Sequence, residues 1–345
     1  MSREKEWRGH IDGEKGAFYN KKQLPNRKGW IGMQEIKRAT LIGLGAIGSF
    51  FAAGLQQALG DGFRVMAEGA RKKRLEEQGV VINGKQYHFP IVEPGGPYDP
   101  VDLVIIAVKD YSLDEALEQI KNQVGPDTTL MPALNGLDCV PRTAAVYGGE
   151  RVLYTSMWVA AKMADGAAEF DPNTGRVRFG EAKNDPPSPR VQAVADLFRK
   201  AGIHGIVEKD MRHCIWAKYL GNVSENLPCA LLGVPYGGYQ SSQDADTIRK
   251  MLMDEVAALA KAEGVELTQE DMDRRNEIVH RKSYVSNCPS TLQDLRRGRK
   301  TEIDLLAGTA IRLGEKYGVP TPVCRVMYHG IRVLEQKNAG EIDGL

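Results

Sequence analysis

Lys218, Asn222 and Asn226 recur at four-residue intervals, the spacing that puts side chains on one face of an α-helix. Their neighbours include Ile215, Trp216, Tyr219, Leu220, Val223 and Leu227, so the helix carrying them should be largely buried. An ammonium and two amides on such a helix are costly unless they meet a partner or a ligand. A solvated polar face is the other reading the spacing allows. Asn is a poor residue in mid-helix, and Pro228 should end or kink this helix just past the stripe. A second polar cluster follows later in the chain. Ser290 with Gln293 three residues on has the pattern of a capping box, a role that leaves room for a ligand contact. Glu302 and Asp304 fall in the next predicted helix with Leu305, Leu306, Ile311 and Leu313, where ion pairs with nearby Arg and Lys are the plain expectation.

A third set needs backbone rather than side chains. Gly43-Leu44-Gly45-Ala46-Ile47-Gly48 follows an apolar strand, Ala39-Thr40-Leu41-Ile42, and opens a helix of small and apolar residues. In that setting the first glycine makes the tight turn, the second admits a pyrophosphate to the backbone, and the third lets helix pack on strand. The helix N-terminus then offers unpaired N–H groups and the positive end of its dipole. A second strand over 63–67 ends at Glu68, a position that suits the ribose hydroxyls of NAD. Arg71 and Lys72 follow at once and suit the 2′-phosphate of NADP, although a solvated first helical turn would look the same.

These groups need elements to hold them. Residues 101–108 form a continuous apolar run, as in a strand buried on both faces of a parallel sheet, and end at Lys109. A helix is expected over 112–124, and a strand over 128–134 ends at Asn135-Gly136. Ligands bind open parallel sheets at the carboxyl ends of strands, so Lys109 and Asn135 are candidate cofactor or substrate contacts. An ordinary Asn-Gly turn and a surface lysine are the alternative. Stretches 151–160 and 176–181 alternate like antiparallel strands, followed by a helix over 191–201 and a strand over 204–208. Beyond residue 209 the pattern is almost wholly helical. The chain therefore reads as α/β, with an N-terminal Rossmann dinucleotide-binding domain (36–208), a helical domain (209–335) and a short tail (336–345).

Composition narrows the classes. Of 345 residues, 46 are Lys or Arg and 45 Asp or Glu, a formal charge of +1, which argues against binding nucleic acid through its phosphates. Residues 1–38 hold ten basic and five acidic residues, so the body is mildly acidic and carries a short basic arm over 1–35, expected to be disordered or loosely docked. Five scattered cysteines without a CxxC pair suit reduced thiols and a cytoplasmic location. No apolar run of membrane-spanning length, no histidine spacing for a metal and no G-x-S-x-G elbow is present.

Taken together, the glycine turn, Val108-Lys109, Leu134-Asn135-Gly136, Trp216-Ala217-Lys218 with Asn222 and Asn226, and Pro289-Ser290-Thr291-Leu292-Gln293-Asp294 with Thr301-Glu302-Ile303-Asp304 resemble the ketopantoate reductase family. The resemblance runs in order from about residue 36 to 335. It implies that the helical domain is like that of 6-phosphogluconate dehydrogenases, with the site in the cleft between domains. It further implies Lys218 as the catalytic lysine, Glu302 as its acidic partner, and Asn222, Asn226 and Ser290 as substrate contacts. Lys109 and Asn135 would lie at the nicotinamide end of NADP, and the reaction would be NADPH-dependent reduction of a branched 2-oxo acid, ketopantoate to pantoate in pantothenate synthesis, by a homodimer. Tyr236 stands where the family keeps a further substrate-contacting Asn, and Glu68 departs from its NADP pattern. A relative acting on another 2-oxo or 3-hydroxy acid and a non-catalytic NADP-binding redox sensor are the competing readings, and NAD is the competing cofactor.

Overall fold

The structure, a computed structural model, describes residues 35–164 and 166–342. All of the basic arm except Glu35, and the last three residues of the tail, lie outside the described residues.

The apolar runs form a five-stranded parallel sheet in the order Ile91–Val92, Phe63–Met66, Ala39–Ile42, Leu103–Ile106, Thr129–Pro132. The central strands Ala39–Ile42 and Leu103–Ile106 are buried on both faces, as their unbroken apolar sequence requires. After Ala39–Ile42 the chain first adds strands on one side and then crosses to the other. The strand ends Ile42 and Ile106 therefore flank a switch point, where a crevice opens. Helix Ala46–Leu59 covers one face through Phe50, Phe51, Ala52 and Leu55. The other face packs Val104 and Ile106 on Leu113, Leu117 and Ile120. The helix expected over 112–124 is real but broken: one α-segment, Leu113–Gln119, stands between 3₁₀ turns Asp110–Ser112 and Lys121–Gln123.

Tyr154–Trp158 and Arg176–Gly180 pair antiparallel, and Gly205–Val207 joins Arg176–Gly180 in parallel, so three strands close this half. From Met211 onward the described residues form helices. Their core centres on Trp216, Tyr219, Leu252, Val256, Leu306 and Met327.

Three local expectations are corrected. The stripe does not lie on one continuous helix: Met211–Ser224 ends at Glu225, and Asn226–Leu232 begins a second helix. The break precedes Pro228, which sits in the first turn of the second helix, where its missing N–H costs little. Ser290 is not a cap. Helix Ser290–Arg296 is capped at Pro289, whose carbonyl accepts from Gln293 N (3.0 Å), while Gln293 Nε2 donates to Cys288 O (2.9 Å). Glu302 lies ahead of the helix, in a turn, and Asp304–Gly308 forms a π-segment in which Gly308 N donates to Ile303 O (3.0 Å).

The two halves meet beside the turn Asn135-Gly136. Asp138 accepts from Thr309 Oγ1 (2.9 Å) and from Arg312 (3.0 Å). Gly136, at φ +85°, leaves room for Leu305, which a Cβ would meet at 2.4 Å.

Candidate active site

Each glycine of the turn does a different steric job. Gly43 holds φ +95°, and a Cβ there would stand 2.5 Å from the Ala107 carbonyl. A Cβ on Gly48 would stand 2.1 Å from Gly43 O, so helix and strand pack only because it is absent. Gly45 faces open space, with nothing within 4 Å of its Cβ position. That space belongs to a cavity of about 390 Å³ lined by Gly43, Gly45, Glu68, Arg71, Lys109 and Gln119, among others. Leu44, Ala46 and Ile47 complete the turn without lining that cavity, and Ala46 begins the 14-residue helix whose cap residue, Gly45, does line it. Open backbone, a long helix's N-terminus and an acid at the next strand end fit a dinucleotide.

The two basic residues after Glu68 diverge. Arg71 lines the cavity, where burial and the neighbouring Arg74 depress its guanidinium pKa. Lys72 turns away to pair with Glu93 (2.8 Å) and does not line that cavity. One residue of helix is about a 100° turn, so consecutive side chains cannot share a face. Glu68 accepts from Gln119 Nε2 at 2.7 Å across the cavity mouth.

At the cleft, Lys218 Nζ donates to Asn135 Oδ1 (2.9 Å), and Asn135 Nδ2 donates to Glu302 Oε2 (3.0 Å). The carboxylate's other oxygen meets Lys109 Nζ at 3.3 Å. Lys218 and Glu302 are thus coupled through Asn135, not in direct contact. Burial lowers the Lys218 pKa to about 8, with the Glu302 charge opposing the shift. Lys109 also faces Asp294 at 4.0 Å, and burial raises the Asp294 carboxyl above its usual range. Asn135, Lys218 and Asn222 line one small cavity with Thr155, Ser156 and Tyr219. Asn226, one turn further, donates weakly to Asn222 Oδ1 (3.5 Å) and accepts from the Tyr236 hydroxyl (2.7 Å).

Residues 39–184 match the family described as ketopantoate reductase PanE/ApbA, and residues 210–335 match its C-terminal part. The chain belongs to the ketopantoate reductase family. It is 29% identical to the 2-dehydropantoate 2-reductase of Streptococcus pyogenes serotype M18 over 272 residues, 76% of this chain and 86% of that one. It is 27% identical to the Aquifex aeolicus 2-dehydropantoate 2-reductase over 312 residues, 88% of this chain and 98% of that one. The ternary structure of D-mandelate dehydrogenase with NADH and anilino(oxo)acetate superposes with TM-score 0.77 at 25% identity, covering 87% of this chain and 99% of that one. The ketopantoate reductase of Ralstonia eutropha JMP134 shares the fold at TM-score 0.75 and 23% identity, covering 88% and 99%.

As a member of the ketopantoate reductase family, the chain is an oxidoreductase. Of the residues singled out from sequence, Lys109, Asn135, Lys218 and Glu302 form one hydrogen-bonded and ionic cluster, and Asn222 and Asn226 extend from it. Ser290 is exposed at its helix start, and no hydrogen bond occupies its hydroxyl among the described residues. Asp294 was missed, although it stands four residues after Ser290 and so belongs to the same helix face. Gln119 and the Glu225–Arg275 pair were also missed. Among the described residues no cluster of side chains could hold a metal ion, and no helix is long and apolar enough to cross a membrane.

Proposed function

We propose that the chain reduces a branched 2-oxo acid to the 2-hydroxy acid with NADPH, and that its substrate is ketopantoate, giving pantoate. The observation that carries this reading is the chain Lys218–Asn135–Glu302, which lies beside Asn222 and is tied through Lys109 to the glycine-turn cavity.

Lys109 and Asn135 would hold the nicotinamide, which when bound would supply a hydride to the keto carbon. The Lys218 ammonium stabilises the charge that gathers on the carbonyl oxygen and gives that oxygen its proton. A pKa of about 8 keeps Lys218 protonated at neutral pH yet ready to release the proton. Asn135 fixes the position of Nζ, and Glu302, itself held by Lys109, fixes Asn135. Asn222, Asn226 and Ser290 offer amides and a hydroxyl to the carboxylate and side chain of the substrate. Gly45 opens the backbone to the pyrophosphate while Gly43 and Gly48 hold the turn against the sheet and the helix, and Arg71 stands beside Glu68 to meet a 2′-phosphate.

A panel of 2-oxo acids against NADPH and NADH, followed at the nicotinamide absorbance, tests the reading. Ketopantoate with NADPH should give the highest kcat/KM, and absence of turnover on every 2-oxo acid would sink it in favour of a cofactor sensor. One alternative has observations of its own: an NADH-dependent reductase of another 2-oxo acid. Lys72 is committed to Glu93, Glu68 stands in the cavity, and Tyr236 reaches Asn226. A ketopantoate reductase of Staphylococcus aureus with this fold is dimeric. The reading extends to a cytoplasmic homodimer, which light scattering would test.

A further inference from the structure

Glu225 is the residue at which the stripe-bearing helix breaks, and it is a carboxylate only 1% exposed. Among the described residues its ionic partner is Arg275. Arg275, from helix Gln269–Val279, donates through Nε to Glu225 Oε1 (2.6 Å) and through Nη2 to the other oxygen, a two-pronged pairing. The guanidinium reaches it by lying flat on Gly221, where a Cβ would stand 2.3 Å from Nη2. Gly221 and Glu225, four residues apart, present this face to Arg275, while Lys218 and Asn222 present the adjacent face to the cleft.

The break is tied from other sides as well. Tyr239 donates its hydroxyl to Glu225 O (2.5 Å), and Tyr236 donates to Asn226 Oδ1 (2.7 Å). The backbone of Tyr236 is in turn bound to Asn287 O (3.0 Å), just ahead of Ser290. None of these groups belongs to the hydride or proton transfer. A buried ion pair is a poor source of stability, because desolvation consumes most of its Coulombic gain, but two parallel hydrogen bonds to one carboxylate restrict how its partners can sit. Here the geometry it fixes is the one place where Asn226 is turned relative to Asn222.

We infer that Glu225 and Arg275 are positioning residues that hold the helix break so that Asn222 and Asn226 act as one substrate-binding wall. The inference rests on the proposed role of those asparagines. A displacement of about 1 Å in such a wall can cost up to about 100-fold in function.

The test is Arg275→Met, Arg275→Lys and the neutral double variant Glu225→Gln/Arg275→Met, the last avoiding a buried unpaired charge if the single variant folds poorly. KM for the 2-oxo acid should rise tenfold or more in Arg275→Met and in the double variant, with kcat and the dinucleotide Kd within twofold of wild type. Arg275→Lys, which keeps charge but loses the fork, should recover part of the loss. Amide hydrogen exchange supplies a readout that needs no substrate. Protection over 222–228 should drop in Arg275→Met and the double variant while that of Ala39–Ile42 is unchanged. An unchanged KM in a folded variant, or a fall in kcat at constant KM, overturns the inference. If the wild type reduces no 2-oxo acid, the proposed function fails by itself, and unchanged exchange over 222–228 would then overturn the positioning role.

Discussion

On the proposed function, the two walls of the cleft hold their ligands by opposite means. The sheet-bearing wall uses backbone: its turn offers N–H groups and empty space, and side chains matter there chiefly by being absent at Gly43, Gly45 and Gly48. The helical wall uses side chains, with Lys218, Asn222 and Asn226 on elements whose backbone is already satisfied. A backbone site tolerates many sequences but no bulk at a few positions. A side-chain site tolerates bulk around it but no change in the groups that touch substrate. Asn135, from the first wall, is where the two join, since it bridges Lys218 to Glu302.

The sharpest way to break this contrast is Lys218→Ala. Turnover should fall about 1,000-fold, within the range for loss of a proton donor that also stabilises an oxyanion, while the dinucleotide Kd stays within twofold. Loss of cofactor affinity in that variant, by fluorescence titration, would mean that the walls are not separable.

The turn should separate in its own way. Gly48→Ala must displace Gly43 O, and should lower stability by about 2 kcal/mol in urea melts. Gly45→Ala meets no atom of the chain, so stability should change by less than about 0.5 kcal/mol. Its dinucleotide Kd should nevertheless rise at least tenfold, because the methyl fills the space meant for phosphate. Equal stability losses in both variants would remove the assignment of that space.

Protonation gives a smaller and graded effect. Burial has lowered the Lys218 pKa, so its ammonium is present below about pH 8 and lost above it. The kcat/KM of keto reduction should be flat on the acid side and fall roughly tenfold per pH unit above about 8. A profile flat to pH 10 would show that another group gives the proton. The smallest effect expected is at Arg71: Arg71→Ala should raise KM for NADPH several-fold and leave KM for NADH unchanged. The reverse pattern in Glu68→Gln, with NADH alone weakened, would favour the NADH reading.

What could be read in the chain follows the range of each interaction. The glycine turn was legible because strand, turn and helix lie within about 20 consecutive residues and each glycine has a local steric reason. The stripe was legible as spacing, but its break was not. Glu225 looks like any helical glutamate, and Arg275, which makes it a clasp, lies 50 residues away. Asn135 could be placed at a strand end, yet its bridging role depends on Glu302, 167 residues on. Ser290 misled because serine followed by glutamine fits a capping pattern, whereas Pro289 supplies the cap position and leaves the hydroxyl exposed. Lys72 was a misgrouping of neighbours, since adjacent helical residues point about 100° apart.

The π-segment Asp304–Gly308 gives Glu302 a dependence on chain length. Such a segment is an α-helix with one residue too many. Its Leu306 carbonyl accepts from the hydroxyl of Tyr219, the residue next to Lys218. Excising Ala307 should leave the helical content by circular dichroism unchanged while abolishing turnover, and retained turnover would refute the dependence. The aim of an acid at the proposed catalytic cluster is in this sense recorded as a count of residues: losing one would rotate everything upstream by about 100° without altering a single polar side chain.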